Sequence, residues 1–284
     1  MVRRLHRHRS SLIRRGLVSV AMVSAVACGF EGQGGAGADD DRDHDGDGVS
    51  DLRDGCPHIP TAEQRDQDRD GVGDECDPDG TMHQRILFDG FYEAPSPERW
   101  EVVGVGSLAN WVQTSRGEAS FLSQASLAGG RRQLRLKLPV SEAIVETRVL
   151  VDTLVDTSEL RAVGLVVGDL SAQVSSSYGV CAARRTASAT DADDVASGFY
   201  SGDTSQIEGR TGWSAKISSG ALRLRGQLGS GARLDCLVTH SEGPVASAAA
   251  TRVGGQADGQ VGLHTVNAGA LFDYLFIIAP RAPR

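Results

Sequence analysis

Short apolar runs, many of them alternating with polar residues, recur through the chain from residue 86 to its end. In the run RQLRLKL at Arg132–Leu138, the three leucines would lie on one face and the second arginine and the lysine on the other. A period of two is typical of a strand with one buried face, and no convincing helical period is present. Further runs lie at 143–151, 162–167, 221–225, 234–238, 261–266 and 271–278. About a dozen short strands without helices predict an all-β sandwich.

The first 27 residues have the pattern of an export signal. Six arginines precede an apolar run of eleven residues at 17–27, which is too short for a bilayer core that needs about 20. The following sequence, Ala-Val-Ala-Cys at 25–28, resembles a bacterial lipobox, which implies cleavage before Cys28 and lipid attachment to its thiol. Plain secretion with Cys28 as a free thiol is the alternative. Residues 28–38 would then form a lipidated, glycine-rich tether.

An acidic stretch at residues 39–80 contains two copies of one spacing. Acids at positions 1, 3, 5, 9 and 12, with glycine at position 6, recur 23 residues apart, which no helix or strand period explains. Such oxygen ligands suit Ca²⁺, which takes about 6–8 of them and accepts a backbone carbonyl at position 7. The predicted metal ligands are Asp43, Asp45, Asp47, Val49, Asp51 and Asp54 in the first loop, and Asp66, Asp68, Asp70, Val72, Asp74, Asp77 and Asp79 in and just after the second.

The register and the charge of these loops both point to bound cations. A start at Asp41 would place Val49 and Leu52 at positions 9 and 12, where their side chains cannot bind a metal, so the first loop starts at Asp43. Carboxylates about 4 Å apart repel by roughly 4 kcal/mol per pair at an effective dielectric constant of about 20. Several such pairs would exceed the stability of a whole domain, roughly 5–15 kcal/mol. We therefore predict that the loops close only around cations. No imidazole and thiolate set for zinc or copper is evident in the stretch.

The opening D-x-D-x-D-G is shared with the EF-hand, which needs a glutamate at position 12 and a helix on each side. Here position 12 is aspartate, and Pro57 and Pro60 interrupt any helix after the first loop. The longer pattern D-x-D-x-D-G-V-x-D-x-x-D-x-C-P, followed by Q-x-D-x-D-x-D-G-V-G-D-x-C-D, resembles the thrombospondin type 3 repeat over residues 43–79. The resemblance implies a calcium-bound coil with little regular structure, closed by a disulfide between Cys56 and Cys76.

The chain has five cysteines. If Cys28 carries lipid, the four that remain in an exported protein imply two disulfides, for which three connectivities exist. The economical choice pairs Cys56 with Cys76 and Cys181 with Cys236, since each pair then lies within one module. Neither pair has a second thiol or a histidine at ligand spacing, so no zinc site is predicted.

The two ends of the strand-rich region resemble the concanavalin-like jelly roll of laminin-G-like modules and many carbohydrate-active proteins. The region opens with LFDGF at 87–91, followed by Trp100, and closes with GQVGLH at 259–264 and ALFDYLFI at 270–277. In that fold the first and last strands meet in one sheet. The predicted fold class is therefore all-β: a concanavalin-like jelly-roll sandwich at residues 81–284, preceded by an irregular, calcium-stabilised thrombospondin type 3 coil at residues 39–80.

Catalysis is not predicted. Laminarinase-type enzymes on this fold carry their carboxyls in the string E-x-D-x-E, which the chain lacks. The nearest pair, Glu142 and Glu146, has Ile144 between its members on the same face, which suggests an ordinary edge or surface. For ligand binding, the candidate aromatic platforms are Phe199, Tyr200 and Trp213, in segments rich in glycine and serine, while Trp100 and Trp111 are expected to fill the core.

Charge and organisation together suggest a surface protein. Residues 39–80 hold 16 acids and 4 arginines, so nucleic acid is not a predicted partner. We predict an exported lipoprotein of the outer membrane or cell surface, facing outwards or towards the periplasm and held in the membrane by the lipid on Cys28 only. Its calcium-stiffened coil would act as a spacer that presents the sandwich for adhesion to a glycan or surface protein. The alternatives are a carbohydrate-active enzyme on the same fold and a structural envelope component that binds nothing.

Overall fold

The computed structural model describes residues 41–281, apart from 79, 81, 118, 125–128, 156–158, 170–176, 187–192, 202–203 and 252–257. The predicted signal peptide, Cys28, the tether and the predicted ligand Asp79 lie outside the described residues. Residues from Asp40 onwards belong to one compact unit. Within the described ranges, no helix is long and apolar enough to cross a membrane.

The described chain consists mainly of short strands, which confirms the predicted all-β class. Two three-residue helical turns lie at Leu108–Asn110 and Ser230–Ala232. The strands are β1 His83–Asp89, β2 Trp100–Gly104, β3 Trp111–Arg116, β4 Ala119–Gln124, β5 Arg131–Leu136, β6 Val140–Ser141, β7 Ile144–Leu154, β8 Arg161–Asp169, β9 Ser177–Arg185, β10 Asp193–Ser201, β11 Thr204–Trp213, β12 Ala221–Gly229, β13 Arg233–His240, β14 Val245–Thr251, β15 Asp258–Gly259, β16 Val261–Val266, β17 Ala268–Phe272 and β18 Leu275–Pro280.

Two antiparallel sheets form the sandwich. The nine-stranded sheet has the order β14-β13-β12-β7-β17-β4-β3, and β18 joins it by pairing with β7 and with β1. The seven-stranded sheet has the order β11-β10-β9-β8-β16-β5-β2, and β15 pairs separately with β6. The first and last strands therefore meet in one sheet, with His83 opposite Pro280, as the jelly-roll resemblance implies.

Each apolar run found in the sequence overlaps a strand, although some ends differ. The last run is divided between β17 and β18, because Asp273 and Tyr274 lie between the two strands. β5 ends at Leu136, so Leu138 does not share the buried face of the other two leucines and is 48% exposed. The alternation of side chains thus predicts where strands lie better than where they end.

Apolar side chains from both sheets fill the space between them. Trp100 and Trp111 are buried in this core, which confirms the prediction. The disulfide Cys181–Cys236 joins β9 of one sheet to β13 of the other across the core, with the Cα atoms 5.1 Å apart. The predicted disulfide Cys56–Cys76 is also present, with a Cα–Cα distance of 5.7 Å.

Two of the predicted ligand platforms are wrong. Phe199 is 1% exposed and Trp213 is 9% exposed, and both pack in the core between the sheets. The segments rich in glycine and serine that hold them are not loops: Phe199 lies in β10, and Trp213 is the last residue of β11. Because Tyr200 follows Phe199 in β10, its side chain lies on the outer face of the seven-stranded sheet.

The acidic module, which is the described part of residues 41–80, packs against the outer face of the nine-stranded sheet. Its disulfide and a buried valine contact aromatic and aliphatic side chains of β7, of the connection after β17, and of β18, in a cluster formed by Cys56, Val72, Cys76, Ile144, Tyr274, Phe276 and Ile278. This cluster is separate from the core between the sheets. The module is therefore a layer of the folded unit and does not stand apart from the sandwich as a spacer would.

Candidate functional site

The two acidic loops repeat the same hydrogen bonds between backbone and carboxylate. The carboxylate at position 1, Asp43, accepts bonds from the N–H groups at positions 4 and 6, both at 2.8 Å, and Asp66 accepts the equivalent pair at 2.7 and 3.0 Å. At position 5, Asp47 and Asp70 accept from the N–H at position 7, at 2.8 and 2.7 Å. The glycine at position 6 has φ 93° in both loops, in the left-handed region that favours glycine. The hydrogen bonds thus follow the register that starts at Asp43.

The side chains at positions 1, 3 and 5 converge in each loop. Their ligand atoms lie within 4.8 Å of one another in the clusters Asp43, Asp45, Asp47 and Asp66, Asp68, Asp70. Three buried carboxylate oxygens have no hydrogen-bond partner among the described residues, namely the Oδ2 atoms of Asp45, Asp54 and Asp68. A buried acceptor without a partner is costly, and a cation would satisfy it. Both clusters contain only oxygen ligands, so these residues fit Ca²⁺.

The electrostatics of the first loop lead to the same conclusion. Burial is the main cause that raises the pKa of the Asp45 carboxyl to about 7, and the negative charges of Asp54, Asp47 and Asp43 add to it. A hydrogen bond from the Asp47 backbone acts in the opposite direction. Without a cation, this carboxyl therefore keeps a proton up to neutral pH.

The remaining predicted ligands have other contacts. Asp51 accepts hydrogen bonds from the His44 N–H at 2.8 Å and from the Tyr92 hydroxyl at 2.6 Å. Asp74 accepts from the Gln67 N–H at 2.8 Å, as Asp51 does from the equivalent position. Neither carboxylate belongs to the convergent clusters, and their role as ligands, like that of the Val49 and Val72 carbonyls, stays a prediction.

Two residues that the sequence reasoning missed hold the first loop in place. The guanidinium of Arg85, in β1, donates to the carbonyl oxygens of Asp51, Leu52 and Asp54 at 2.7–3.1 Å. The amide of Gln64 donates to Asp54 at 2.9 Å. An arginine on another element gives no signal in a spacing pattern, whereas Gln64 lies two positions before Asp66 and opens the second copy of the pattern.

Glu146 is not on an edge or surface, contrary to the sequence prediction. It faces the module from β7, is 1% exposed and lies 2.9 Å from the His58 Nε2. It also accepts hydrogen bonds from the Arg223 Nε at 2.5 Å and the Tyr274 hydroxyl at 2.9 Å. Burial alone would raise the pKa of Glu146, but the hydrogen bond and charge of His58, together with Arg223, hold it well below its usual range. A buried, ionised carboxylate thus links the module to the sheet.

A groove of about 350 Å³ lies on the outer face of the seven-stranded sheet. The rings of Tyr178 and Tyr200 stack in it, with centroids 5.8 Å apart and planes 19° apart. The Arg131 guanidinium lies 4.9 Å from the centre of the Tyr178 ring. The side chains of Glu159 and Asn267 also line the groove, and the Asn267 amide donates to the Leu160 carbonyl at 2.8 Å.

The charged groups at one side of this groove are paired. Arg184 binds Asp194 through two hydrogen bonds of 2.8 and 3.0 Å and also contacts Glu208. The Tyr200 hydroxyl donates to Glu208 at 2.7 Å. Burial opposes the charge of Glu208, but its bonds from Tyr200 and Arg210 and the charge of Arg184 lower its pKa. A glycosidase general acid needs the opposite shift.

His264 lies deeper in the same groove. Its Nδ1 is 3.1 Å from the Gln133 amide nitrogen. Burial, followed by the charges of Arg131 and Arg135, lowers the pKa of His264 to about 3, so its ring is neutral at physiological pH.

Comparison with known proteins supports the two resemblances at different levels. The model of the thrombospondin type 3 repeat family matches residues 31–64, which include the first loop. Comparison with curated proteins finds no match. The resemblance of the acidic module to this repeat is therefore confirmed for a short part of the chain.

Solved structures resemble the sandwich at low sequence identity. Peanut lectin is 10% identical, with a TM-score of 0.47 over 71% of this chain and 99% of the lectin. Bacillus licheniformis beta-glucanase is 12% identical, with a TM-score of 0.47 over 67% and 96%. Porphyranase B from Zobellia galactanivorans is 9% identical, with a TM-score of 0.49 over 71% and 95%. Similarity at this level carries no information about ligand or activity.

Proposed function

We propose that this chain is a calcium-binding recognition protein whose sandwich binds a glycan or a surface protein. In this proposal, the acidic module holds Ca²⁺ against the nine-stranded sheet, and the ligand occupies the groove of the seven-stranded sheet. The observation that carries it is the groove itself, where a stacked tyrosine pair adjoins an arginine and an amide. Aromatic faces with a few placed polar groups are what sugar and peptide sites share.

Ligand binding is tested with a glycan and protein screen of the whole chain, followed by variants of Tyr200. Tyr200→Ala removes the outer ring of the stack and should weaken binding at least tenfold, whereas Tyr200→Phe keeps the ring and loses only the hydroxyl. Val112→Ala, at an exposed position of the opposite sheet, is the matched control. Equal binding by Tyr200→Ala and the unmodified chain would show that the groove is not the ligand site.

Calcium binding is tested by calorimetric titration of the oxidised, metal-free chain. The two acidic loops should bind two ions, and Asp45→Asn should remove the binding event of the first loop only. If titration of the unmodified chain with Ca²⁺ produces no heat, the two acidic loops are not calcium sites.

We propose that the groove binds and does not cleave its ligand. Asp194 and Glu208 are both ion-paired with Arg184, and the lowered pKa of Glu208 suits a fixed anion better than a proton donor. Incubation with any glycan identified in the screen should release no new reducing ends. If the unmodified chain releases new reducing ends and Glu208→Gln does not, the carbohydrate-active enzyme is favoured instead.

We also propose export and lipid attachment at Cys28, from the sequence pattern of residues 1–28. Mass spectrometry of the mature protein should find an N-terminal, diacylated cysteine. Cys28→Ser should release the protein from the membrane fraction. An unmodified Cys28 in a soluble mature chain would favour plain secretion.

A further inference from the structure

The second acidic loop differs from the first by a neighbouring histidine. His83, the first residue of β1, has a side chain that is 4% exposed, and its Nδ1 lies 3.1 Å from Asp77 Oδ1. The ligand atoms of Asp70, Asp77 and His83 all lie within 4.8 Å of one another. In the first loop, the equivalent of Asp77 is Asp54, which instead accepts hydrogen bonds from Gln64 and from a backbone N–H.

The contact between His83 and Asp77 is not an aligned hydrogen bond. The buried Nδ1 of His83 has no hydrogen-bond partner among the described residues, although Asp77 Oδ1 is close to it. The backbone N–H of His83 donates to Asp70 Oδ2, which fixes this second carboxylate beside the ring. A buried nitrogen without a partner is costly, and a metal ion bound to it would remove that cost.

The separation of the atoms agrees with two ligands of one ion. Zinc binds imidazole nitrogen at about 2.0–2.1 Å and carboxylate oxygen at about 2.0–2.2 Å, so two ligands in tetrahedral arrangement lie about 3.3 Å apart. The 3.1 Å between His83 and Asp77 is close to this value. Calcium prefers oxygen ligands, whereas imidazole suits zinc and the other first-row divalent metals.

We propose that Asp70, Asp77 and His83 form a mixed nitrogen and oxygen site for a first-row divalent transition metal such as Zn²⁺. The first loop, whose cluster contains only carboxylates, binds Ca²⁺ alone. Zn²⁺ and Ca²⁺ compete at the second loop because Asp70 and Asp77 serve both ions. This proposal rests on the proposed function in one respect: Asp70 and Asp77 are also the proposed Ca²⁺ ligands of the second loop. The sequence pattern concealed the site, since His83 lies beyond the acidic module and reaches it through the fold.

The experiment uses the full chain without an affinity tag, metal-free and with both disulfides oxidised. Histidine side-chain ¹⁵N NMR should show the large shift of a metal-bound nitrogen at His83 Nδ1 on titration with ZnCl₂, whereas CaCl₂, which binds the neighbouring carboxylates only, should not produce it. In calorimetry, His83→Ala should lower Zn²⁺ affinity at least tenfold and leave two Ca²⁺ ions bound. His83→Asn, which offers an oxygen in place of the nitrogen, should likewise lose Zn²⁺ preference and keep Ca²⁺. Asp45→Asn, in the first loop, is the matched control: it should lose one Ca²⁺ and bind Zn²⁺ unchanged.

Unchanged Zn²⁺ affinity in both His83 variants, or an Nδ1 resonance that ZnCl₂ does not move, would overturn the proposal and leave His83 as a residue that orients Asp77. The NMR titration decides the matter on the unmodified chain even if a His83 variant does not fold. Absence of Ca²⁺ binding together with His83-dependent Zn²⁺ binding would contradict the calcium function while supporting this site. The two failures are therefore distinguishable.

Discussion

At the scale of single residues, burial decides the protonation of two groups. Asp45 is held among Asp43, Asp47 and Asp54, with one oxygen buried and unpartnered among the described residues, and its pKa is raised to about 7. His264 is buried between arginines, and its pKa is lowered to about 3. Both shifts disfavour the charged form, as desolvation does for any ionisable group.

The raised pKa of Asp45 predicts that calcium binding at the first loop weakens in acid. Below pH 7 the metal-free carboxyl holds a proton that Ca²⁺ must displace, so affinity should fall about tenfold per pH unit. Calorimetry at pH 6, 7 and 8, in buffers of different ionisation enthalpy, measures both the affinity and the released proton. Asp45→Asn, which removes the binding event of the first loop, should also remove this pH-dependent component of the titration. An affinity that is the same at all three values would contradict the assignment.

The lowered pKa of His264 predicts a loss of stability in acid. In the unfolded chain a histidine gains its proton near pH 6.5, whereas in the fold His264 does so only near pH 3. The free energy of unfolding should therefore fall by about 1.4 kcal/mol per pH unit between these values, or about 3 kcal/mol from pH 6.5 to pH 4. Urea unfolding measures it. In His264→Asn, which keeps an acceptor for Gln133, this component should disappear, and an unchanged slope would show that other groups cause it.

At the scale of elements, β7 connects the two layers. Its inward side chains belong to the core between the sheets, and Ile144 and Glu146 face the module. The strand pairs with β12, β17 and β18, so it lies inside the sheet. A buried carboxylate in such a strand is stable only with its partners in place.

Removal of the charge of Glu146 should therefore loosen the module. Glu146→Gln leaves Arg223 and His58 without their anion, and breaking a buried pair costs about 3–5 kcal/mol. The expected result is a lower midpoint in urea unfolding and faster proteolysis within residues 41–80. Glu142→Gln, in the connection between β6 and β7 and outside this network, is the control. Equal midpoints for the two variants would contradict a structural role for Glu146.

The sequence predicts the elements well where apolar and polar residues alternate, as in β5. It fails where small residues fill both faces. β10 (DDVASGFYS) and β14 (VASAAAT) form regular strands, but their alanines, serines and glycines give no periodic signal. The acidic loops are predictable because their ligands are local in sequence. His83, Glu146 and Arg85 are not, because only the packing of distant segments brings them to the loops.

At the scale of the whole molecule, the module and the sandwich share the cluster around Cys56–Cys76 and belong to one compact unit. The module is also fastened through polar contacts: the Arg225 guanidinium donates to the Cys76 carbonyl at 2.5 Å. Ions bound by the module should consequently stabilise the sandwich as well.

Calcium removal should lower the melting temperature of the sandwich itself. An ion at about 100 times its dissociation constant contributes about 2.7 kcal/mol by mass action, so two ions contribute about 5 kcal/mol. All three tryptophans lie in the sandwich, so their fluorescence reports its unfolding with and without a chelator. Asp45→Asn should show about half the effect. The opposite outcome has two parts: the chelator leaves the tryptophan unfolding transition unchanged, and residues 41–80 become sensitive to protease. That outcome would instead identify the module as an independent spacer.

The buried face of β7 and β18 has a practical consequence for how the protein can be divided. A fragment that begins at residue 81 would leave Ile144, Phe276 and Ile278 bare to solvent, beside a carboxylate that has lost its histidine. Exposed apolar patches of this kind promote aggregation. A recombinant fragment should accordingly begin at or before residue 41. Poor solubility of the shorter fragment would reflect this exposed face and would not show that the sandwich cannot fold.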